Sequence, residues 1–356
     1  MTRILQVLTD TDRRGSQLFA VRLERVLAER GWDVRSVALT AGGYPPPLPV
    51  PALGRLPRHP QTLRALRAEM RLADVVIAFG APTLSPTITA RSRVGVPIIY
   101  RSAADALRGI DTPEQRLRLR VLLGNVQRVC VLWPEARQLL VNAVGIPSGR
   151  ISMIPSGVTT RDVVPPDAAA QEAARRRFGL DPDPERPVLL SVGALAPEHR
   201  IDALLGAVAR EPAWQALIVG DGLARARLAE RAAALAPDRV AFAGPLPDLA
   251  PCYDAADVAV LLSDRGGTAG FLMEAGARGV PAVATDVGGL PWIVVDGVTG
   301  ALVPVTPGVD AVRDGVRRVL DGHASMGLLA RQQVEAWFDL ETVAGEWEKL
   351  LADVGR

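Results

Sequence analysis

Short apolar runs alternate with amphipathic stretches along the whole chain, and this alternation restricts the fold more than any other feature. Residues 4–8 read as a buried strand, 17–30 as a helix and 33–39 as the next strand, with further strands predicted at 75–79, 97–100, 128–132 and 151–154. Strands separated by helices must return in the same direction as their predecessors, which makes a parallel sheet covered on both faces. The proline-rich stretch 44–60 reads as an irregular connection at the edge of this sheet. A second series begins after Pro165 and Pro166, with a helix near 168–178 and strands at 188–192, 216–219, 240–243, 258–262, 282–284 and 300–303. The α/β pattern therefore predicts two Rossmann-like domains facing each other across a cleft, spanning 1–160 and 161–337, with a hinge within 155–166. A last helix, 340–354, carries Val343, Trp347, Leu350 and Leu351 on one face.

Composition removes several classes of function. The chain has 356 residues, 48% hydrophobic and 22% charged, which suits two soluble domains of ordinary size. No apolar run reaches the roughly 18 residues that a transmembrane helix needs. The apolar stretch at the N-terminus is too short for the core of a signal peptide. A net charge of +2 does not point to nucleic acid. Cys130 and Cys252 lie far apart in apolar surroundings, so no disulfide is expected and the cytoplasm is the expected location. The three histidines lack the spacing of a zinc site, and neither a metal nor a cofactor is expected.

The richest segment is 261–303. There, a strand leads through Gly266, Gly267, Thr268, Ala269 and Gly270 into a helix carrying Glu274, and a second strand follows. A loop that opens onto a helix N-terminus offers unpaired N–H groups to an anion, so it reads as a phosphate cradle. Glu274, one turn inside, is placed to accept hydrogen bonds from sugar hydroxyls. Its plainer reading is a carboxylate favoured by the helix dipole. The motif Ser-Asp-Arg-Gly-Gly-Thr-Ala-Gly-Phe-Leu-Met-Glu-Ala at 263–275, with Gly-Val-Pro-Ala-Val-Ala-Thr-Asp-Val-Gly-Gly-Leu-Pro at 279–291, resembles the donor site of retaining GT-B glycosyltransferases of family 4. The motif is degenerate, because Gly266 stands where that family usually has the first of two glutamates. Ile-Pro-Ser-Gly-Val at 154–158 resembles the family's hinge, and 189–202 and 217–222 resemble its donor-domain turns. The resemblance further implies that the last helix crosses back onto the first domain, so that 338–356 belongs with it.

Ligands of open α/β sheets collect beyond the carboxyl ends of the strands. In the first such loop, the resemblance implies that Gly15 and Ser16 face the distal phosphate of a donor, and that Arg13, Arg14 and Gln17 face an acceptor. An ordinary strand-to-helix turn is the alternative. Asp10 and Asp12 match the Asp-x-Asp pattern of metal-dependent glycosyltransferases, a match set aside because the rest of the pattern describes a cleft whose amides and arginines replace the metal. In the second loop, the family's arginine is replaced by Ala194, and its lysine by His199 or Arg200. Gly220 and Gly222 form a tight turn without the third glycine of a dinucleotide fingerprint, and Gly244 and Leu246 are expected near the base. Asp264 is positioned to substitute for the glutamate missing at Gly266; alternatively, the glycine leaves room for a bulkier sugar. After the strand at 97–100, the family's histidine position is Ala104, and Asp105 remains. Asp105 and Arg200 are the catalytic candidates, and Arg101 joins the acceptor side, with a solvated Arg101–Asp105 ion pair as the plain alternative. Trp292, at a position that is often glutamate in the family, is either core packing or an aromatic wall.

The expected activity is retaining, metal-independent transfer of a sugar from a nucleotide-diphosphate sugar to a hydroxyl of a small-molecule or lipid-linked acceptor. Peripheral membrane contact stays open. The alternatives are a catalytically weakened GT-B protein that binds a nucleotide sugar or a partner enzyme, motivated by Ala194, Gly266 and Ala104, and a GT-B enzyme with an unusual phosphorylated donor.

Overall fold

The computed structural model describes residues 2–43, 46–92, 94–102, 112–264 and 269–355. The chain divides into two compact units, Met1–Val158 with Asp339–Arg356, and Thr159–Phe338. In the first unit, strands β1 (Arg3–Asp10), β2 (Asp33–Thr40), β3 (Ala52–Gly54), β4 (Val75–Phe79), β5 (Ile98–Arg101), β6 (Arg128–Val131) and β7 (Ile151–Met153) form a parallel sheet of order β3-β2-β1-β4-β5-β6-β7. In the second unit, β8 (Val188–Val192), β9 (Gln215–Val219), β10 (Val240–Gly244), β11 (Val258–Leu261), β12 (Ala282–Thr285) and β13 (Gly300–Val303) form another, of order β10-β9-β8-β11-β12-β13. Each order reverses beside the first strand of its sheet, and there the crossovers leave a crevice at the carboxyl edge.

The stretch 44–60 is more regular than its prolines suggest. Its residues Ala52–Gly54 pair with β2 in the register Ala38↔Ala52 and Thr40↔Gly54. Proline is tolerated in a sheet at an edge, and β3 is an edge strand.

The final helix, Leu340–Val354, belongs to the first unit. Asp339 caps it by accepting from the N–H groups of Glu341 and Thr342, both at 3.1 Å. Its Val343, Trp347, Leu350 and Leu351 join the cluster formed by Phe19, Leu23, Val26 and Leu27 of helix Gly15–Glu29. At the rim, Glu348 accepts from Trp32 Nε1 at 2.8 Å and pairs with Arg30 at 2.7 Å.

In the second unit, helix Ala168–Arg177 is tied to its sheet by a buried ion pair. Arg175 donates to both oxygens of Asp257, at 2.9 and 2.7 Å, and to the Asp183 carbonyl at 3.0 Å. Asp257 also accepts from the N–H of Val188 at 2.6 Å. Burial holds the pKa of Asp257 above the ordinary carboxylate value, and the facing Arg175 guanidinium offsets only part of the rise. Cys130 and Cys252 are buried free thiols.

Trp347 is fully buried, so Trp347→Ala should lower the stability of the first unit by about 3–5 kcal/mol. Denaturant unfolding monitored by hydrogen exchange in helix Gly15–Glu29 checks this, and unchanged protection there would contradict the packing.

Candidate active site

In the first unit, β1 delivers Asp10 to the turn that begins helix Gly15–Glu29. Asp10 Oδ1 accepts from the N–H of Asp12 at 3.0 Å and from Gln17 Nε2 at 3.3 Å. Arg14 Nη2 lies 3.1 Å from Asp10 and 2.6 Å from Asp12. The two buried carboxylates thus order the turn, and Arg14 and Gln17 are engaged with them. Among the described residues, no group of three or more His, Cys, Asp or Glu side chains is arranged to hold a metal ion. Arg13 is exposed beside this knot. The Arg14 backbone is extended, and no side chain caps the helix, so the first amides, from Gly15 and Ser16 onwards, lack intrahelical acceptors.

Arg101, at the end of β5, is only 1% exposed. Its Nη2 donates to Ser156 Oγ at 2.7 Å and its Nη1 to Ser16 Oγ at 3.4 Å. The rings of Phe19 and Phe79 lie 4.5 and 5.4 Å from its Cζ. Burial lowers its pKa to about 10, which still leaves it charged at neutral pH. Asp105 and Ala104 lie outside the described residues.

In the second unit, the loops after β8 and β9 interlock through their backbones. Gly193 N–H donates to Val219 O at 3.0 Å, Leu195 N–H to Asp221 O at 2.9 Å and Gly220 N–H to Gly244 O at 2.9 Å. A Cβ on Gly220 would lie 2.0 Å from Gly193 O, and one on Gly222 would lie 2.5 Å from Leu195 O. These two glycines are needed for close approach of backbone to backbone, whatever they also offer a ligand. Leu246 is half-buried just beyond β10. A small pocket beside these loops is bounded in part by Ser191, Gly193, Ala194, His199 and Ile201. Alanine at 194 leaves this wall without a cation.

Arg200 and Asp264 meet each other. Arg200 Nε donates to Oδ1 at 2.8 Å and Nη2 to Oδ2 at 2.7 Å, the fork geometry of a strong guanidinium–carboxylate pair. The hydrogen bond raises the Arg200 pKa further. Arg200 has φ 46° and ψ 33°, a left-handed conformation that side-chain-bearing residues adopt rarely and that tends to cluster at functional sites. Asp264 N–H also donates to Glu198 O at 3.0 Å, so the 198–200 turn fixes the residue at which the glycine loop departs. Gly266, Gly267 and Thr268 lie outside the described residues. Ala269 is the N-cap and Gly270 the first residue of helix Gly270–Ala277.

Glu274 sits half-buried on this helix and accepts from Tyr253 Oη at 2.6 Å. Tyr253 is buried and stacks beneath the Arg278 guanidinium, 5.3 Å from its ring centre. Sequence reasoning missed Tyr253. It lies 21 residues before Glu274, on a separate short helix, Ala250–Ala255, and no local pattern connects the two. Ser156 was likewise read only as part of a hinge. Trp292, half-buried, packs edge-on against the buried ring of Phe338 at 5.0 Å.

Comparison with known proteins places this arrangement. Residues 172–333 match the family of glycosyl transferases group 1, and residues 14–157 match the glycosyl transferase 4-like domain. A D-inositol 3-phosphate glycosyltransferase of Geodermatophilus obscurus is 32% identical over 92% of this chain and 82% of its own length. One from Nocardia farcinica is 30% identical over 82% and 74%. One from Streptosporangium roseum is 34% identical over 60% of this chain, and the match spans only 54% of that relative. Two solved structures share the fold: Anabaena Alr3699/HepE in complex with UDP-glucose, with TM-score 0.84, 18% identity and coverage of 99% and 100%, and sucrose-phosphate synthase from Thermosynechococcus elongatus, with TM-score 0.81, 23% identity and coverage of 99% of both chains. The chain belongs to the GT-B glycosyltransferases related to family 4, a class that moves a sugar from a nucleotide-sugar donor to an acceptor hydroxyl.

Burial lowers the His199 pKa from its ordinary 6.5, against the opposing pull of Glu198 and Asp264. The folded protein then binds this proton less readily than the unfolded chain does. The stability owed to neutral His199 should be lost as pH falls below 6.5 towards the folded value. His199→Gln should flatten that part of the profile of denaturant midpoint against pH, and an unchanged slope would contradict it.

Proposed function

We propose that this chain is a retaining, metal-independent glycosyltransferase acting on a nucleotide-diphosphate sugar and a hydroxyl of a small-molecule or lipid-linked acceptor. The second unit holds the donor. Glu274 accepts from the ribose hydroxyls, the glycine loop from Gly267 to Gly270 and the 193–200 turn receive the diphosphate, and Gly244 and Leu246 lie near the base. The first unit holds the acceptor, with Arg13, Arg14 and Gln17 at its turn and Asp105 beside the reaction centre. The observation that carries the reading is the Glu274 carboxylate, held by Tyr253 one turn into the helix that follows β11. The bond from the anomeric carbon to the diphosphate oxygen breaks with its electron pair going to phosphate. The acceptor oxygen bonds to the same face, and its proton passes to the departing phosphate. Such chemistry needs anion stabilisation and orientation more than a protein base. The relatives named for D-inositol 3-phosphate make a phosphorylated polyol the first acceptor to test. A cytoplasmic setting belongs to the same proposal: the buried thiols suit a reducing compartment, and no described helix is long and apolar enough to cross a membrane.

One observation favours a second reading, a nucleotide-sugar-binding protein or an enzyme with an unusual phosphorylated donor. The fork between Arg200 and Asp264 spends the cation that a diphosphate would use. A panel of nucleotide sugars, assayed for transfer and hydrolysis in EDTA, separates the readings. Arg200→Ala should lower turnover about a hundredfold if Arg200 serves the leaving group; a neutral result moves the second reading ahead.

Glu274→Ala should weaken donor binding by about 1.5–3 kcal/mol, the value of a hydrogen bond to a charged group. Tyr253→Phe should weaken it in the same direction by about 1 kcal/mol. Calorimetric titration of the folded variants checks both, and an unchanged dissociation constant for Glu274→Ala would remove the ribose role.

A further inference from the structure

Helix Pro113–Gly124 carries apolar side chains on two sides and packs with only one of them. Leu123 is buried and Leu119 and Leu122 are half-buried, so this side rests on the first unit. Leu117 and Val121, one turn apart on the opposite side, are 62% and 60% exposed. A helix that is apolar all round is ordinarily buried all round. This one is stabilised locally instead: Thr112 and Gln115 close a capping box at its start, and Pro113 takes the first helical position. It therefore forms while its outer apolar stripe still lacks a partner.

The charge around that stripe has one sign. Arg116, Arg118 and Arg120 alternate with the apolar residues and flank the stripe on both sides, against a single acid, Glu114. Among the described residues, no carboxylate pairs with Arg118 or Arg120. The neighbouring elements do not cancel the excess. Arg91 donates to the carbonyls of Val96 and Asn125, Arg150 donates to that of Leu123, and Glu135 and Arg137 of helix Pro134–Leu139 offset each other. In the sequence before the helix stand Asp105, Arg108 and Asp111, and with these included the stretch 105–120 still keeps an excess of positive charge. Apolar side chains rimmed by arginines match the boundary of an anionic bilayer, where leucine and valine enter the acyl layer and guanidinium groups reach the phosphates. A second copy of this helix is a poorer match, because it would set arginines against arginines. We propose that helix Pro113–Gly124 docks the protein peripherally on an anionic lipid surface through Leu117, Val121, Arg118 and Arg120. The helix belongs to the crossover that leaves β5 at the carboxyl edge of its sheet, the edge that also bears the turn at 10–17. The inference thereby deepens the proposed function by favouring its lipid-linked acceptor, and it rests on that reading in this respect alone.

The test uses the full chain with the double variants Leu117→Ser/Val121→Ser and Arg118→Gln/Arg120→Gln, all at exposed positions. Flotation with phosphatidylcholine vesicles, with and without phosphatidylglycerol, is measured at low and high salt, beside binding of a panel of nucleotide sugars. The wild type should bind the anionic vesicles at low salt and the neutral ones about tenfold more weakly. Leu117→Ser/Val121→Ser should cost about tenfold at every salt concentration. Arg118→Gln/Arg120→Gln should cost about thirtyfold at low salt and flatten the salt dependence. Failure of the wild type to bind anionic vesicles, or equal binding by wild type and both variants, overturns the inference. A wild type that self-associates instead, and loses this in Leu117→Ser/Val121→Ser, also overturns it and assigns the stripe to a second copy. Nucleotide-sugar binding should be the same in both variants as in the wild type. A wild type that floats with vesicles but binds no nucleotide sugar loses the proposed function and keeps the docking; nucleotide-sugar binding without flotation does the reverse. If Leu117→Ser/Val121→Ser does not fold, Arg118→Gln/Arg120→Gln decides alone, and unchanged flotation of that variant overturns the inference.

Discussion

Parallel pairing is the constraint on which the rest of this protein depends. Neighbouring strands in both sheets run the same way, so each must be reached by a crossover, and the crossovers cover both faces. Strands buried on two sides are apolar along their length, as in β4, where all five residues are buried. The same rule gathers the turns that follow the strands at one edge of each sheet. Asp10 and Arg101 reach that edge in the first unit, and Gly193, Gly220, Asp264 and Glu274 lie at or beyond it in the second. Polar chemistry collects at these edges because the sheets leave almost no other place for it.

This explains what could be read in the chain and what could not. Apolar runs and helical periodicity are local, so the alternation and the terminal helix with Trp347 are legible. The short edge strand Ala52–Gly54 is not, because three residues among prolines carry no period. The glycine turns stand out because glycine is a local signal. The side-chain partnerships do not: Arg200 and Asp264 are 64 positions apart, and Arg101 and Ser156 are 55 apart. Each partner was visible as a polar residue near a strand end, but only the strand order determines which one it meets.

Arg200 and Arg101, one at each sheet edge, are matched in different ways. Arg200, partly exposed, is matched to a carboxylate by a two-point fork, and such a pair near water contributes little to stability while defining geometry well. Arg101, almost fully enclosed, is met among the described residues by hydroxyls and aromatic faces and by no carboxylate. Arg175 is the control within the same chain, since it is equally buried but neutralised by Asp257 and serves to hold a helix to its sheet. Burial alone therefore does not dictate how an arginine is used here; the presence of a facing carboxylate does.

The first unit is discontinuous in the chain. Residues Thr159–Phe338 interrupt it, and the break is stitched where the N–H of Leu340 donates to Val158 O at 2.9 Å. On a ribosome, the first 158 residues emerge with Phe19, Leu23, Val26 and Leu27 lacking the cover that Trp347 and Leu351 later provide. The interrupting unit has a complete core of its own, which includes Leu189, Leu205, Ile218 and Val260, and it can close as soon as it is translated. The domain made second is thus free to finish first, while the apolar face of helix Gly15–Glu29 waits for helix Leu340–Val354 to cover it.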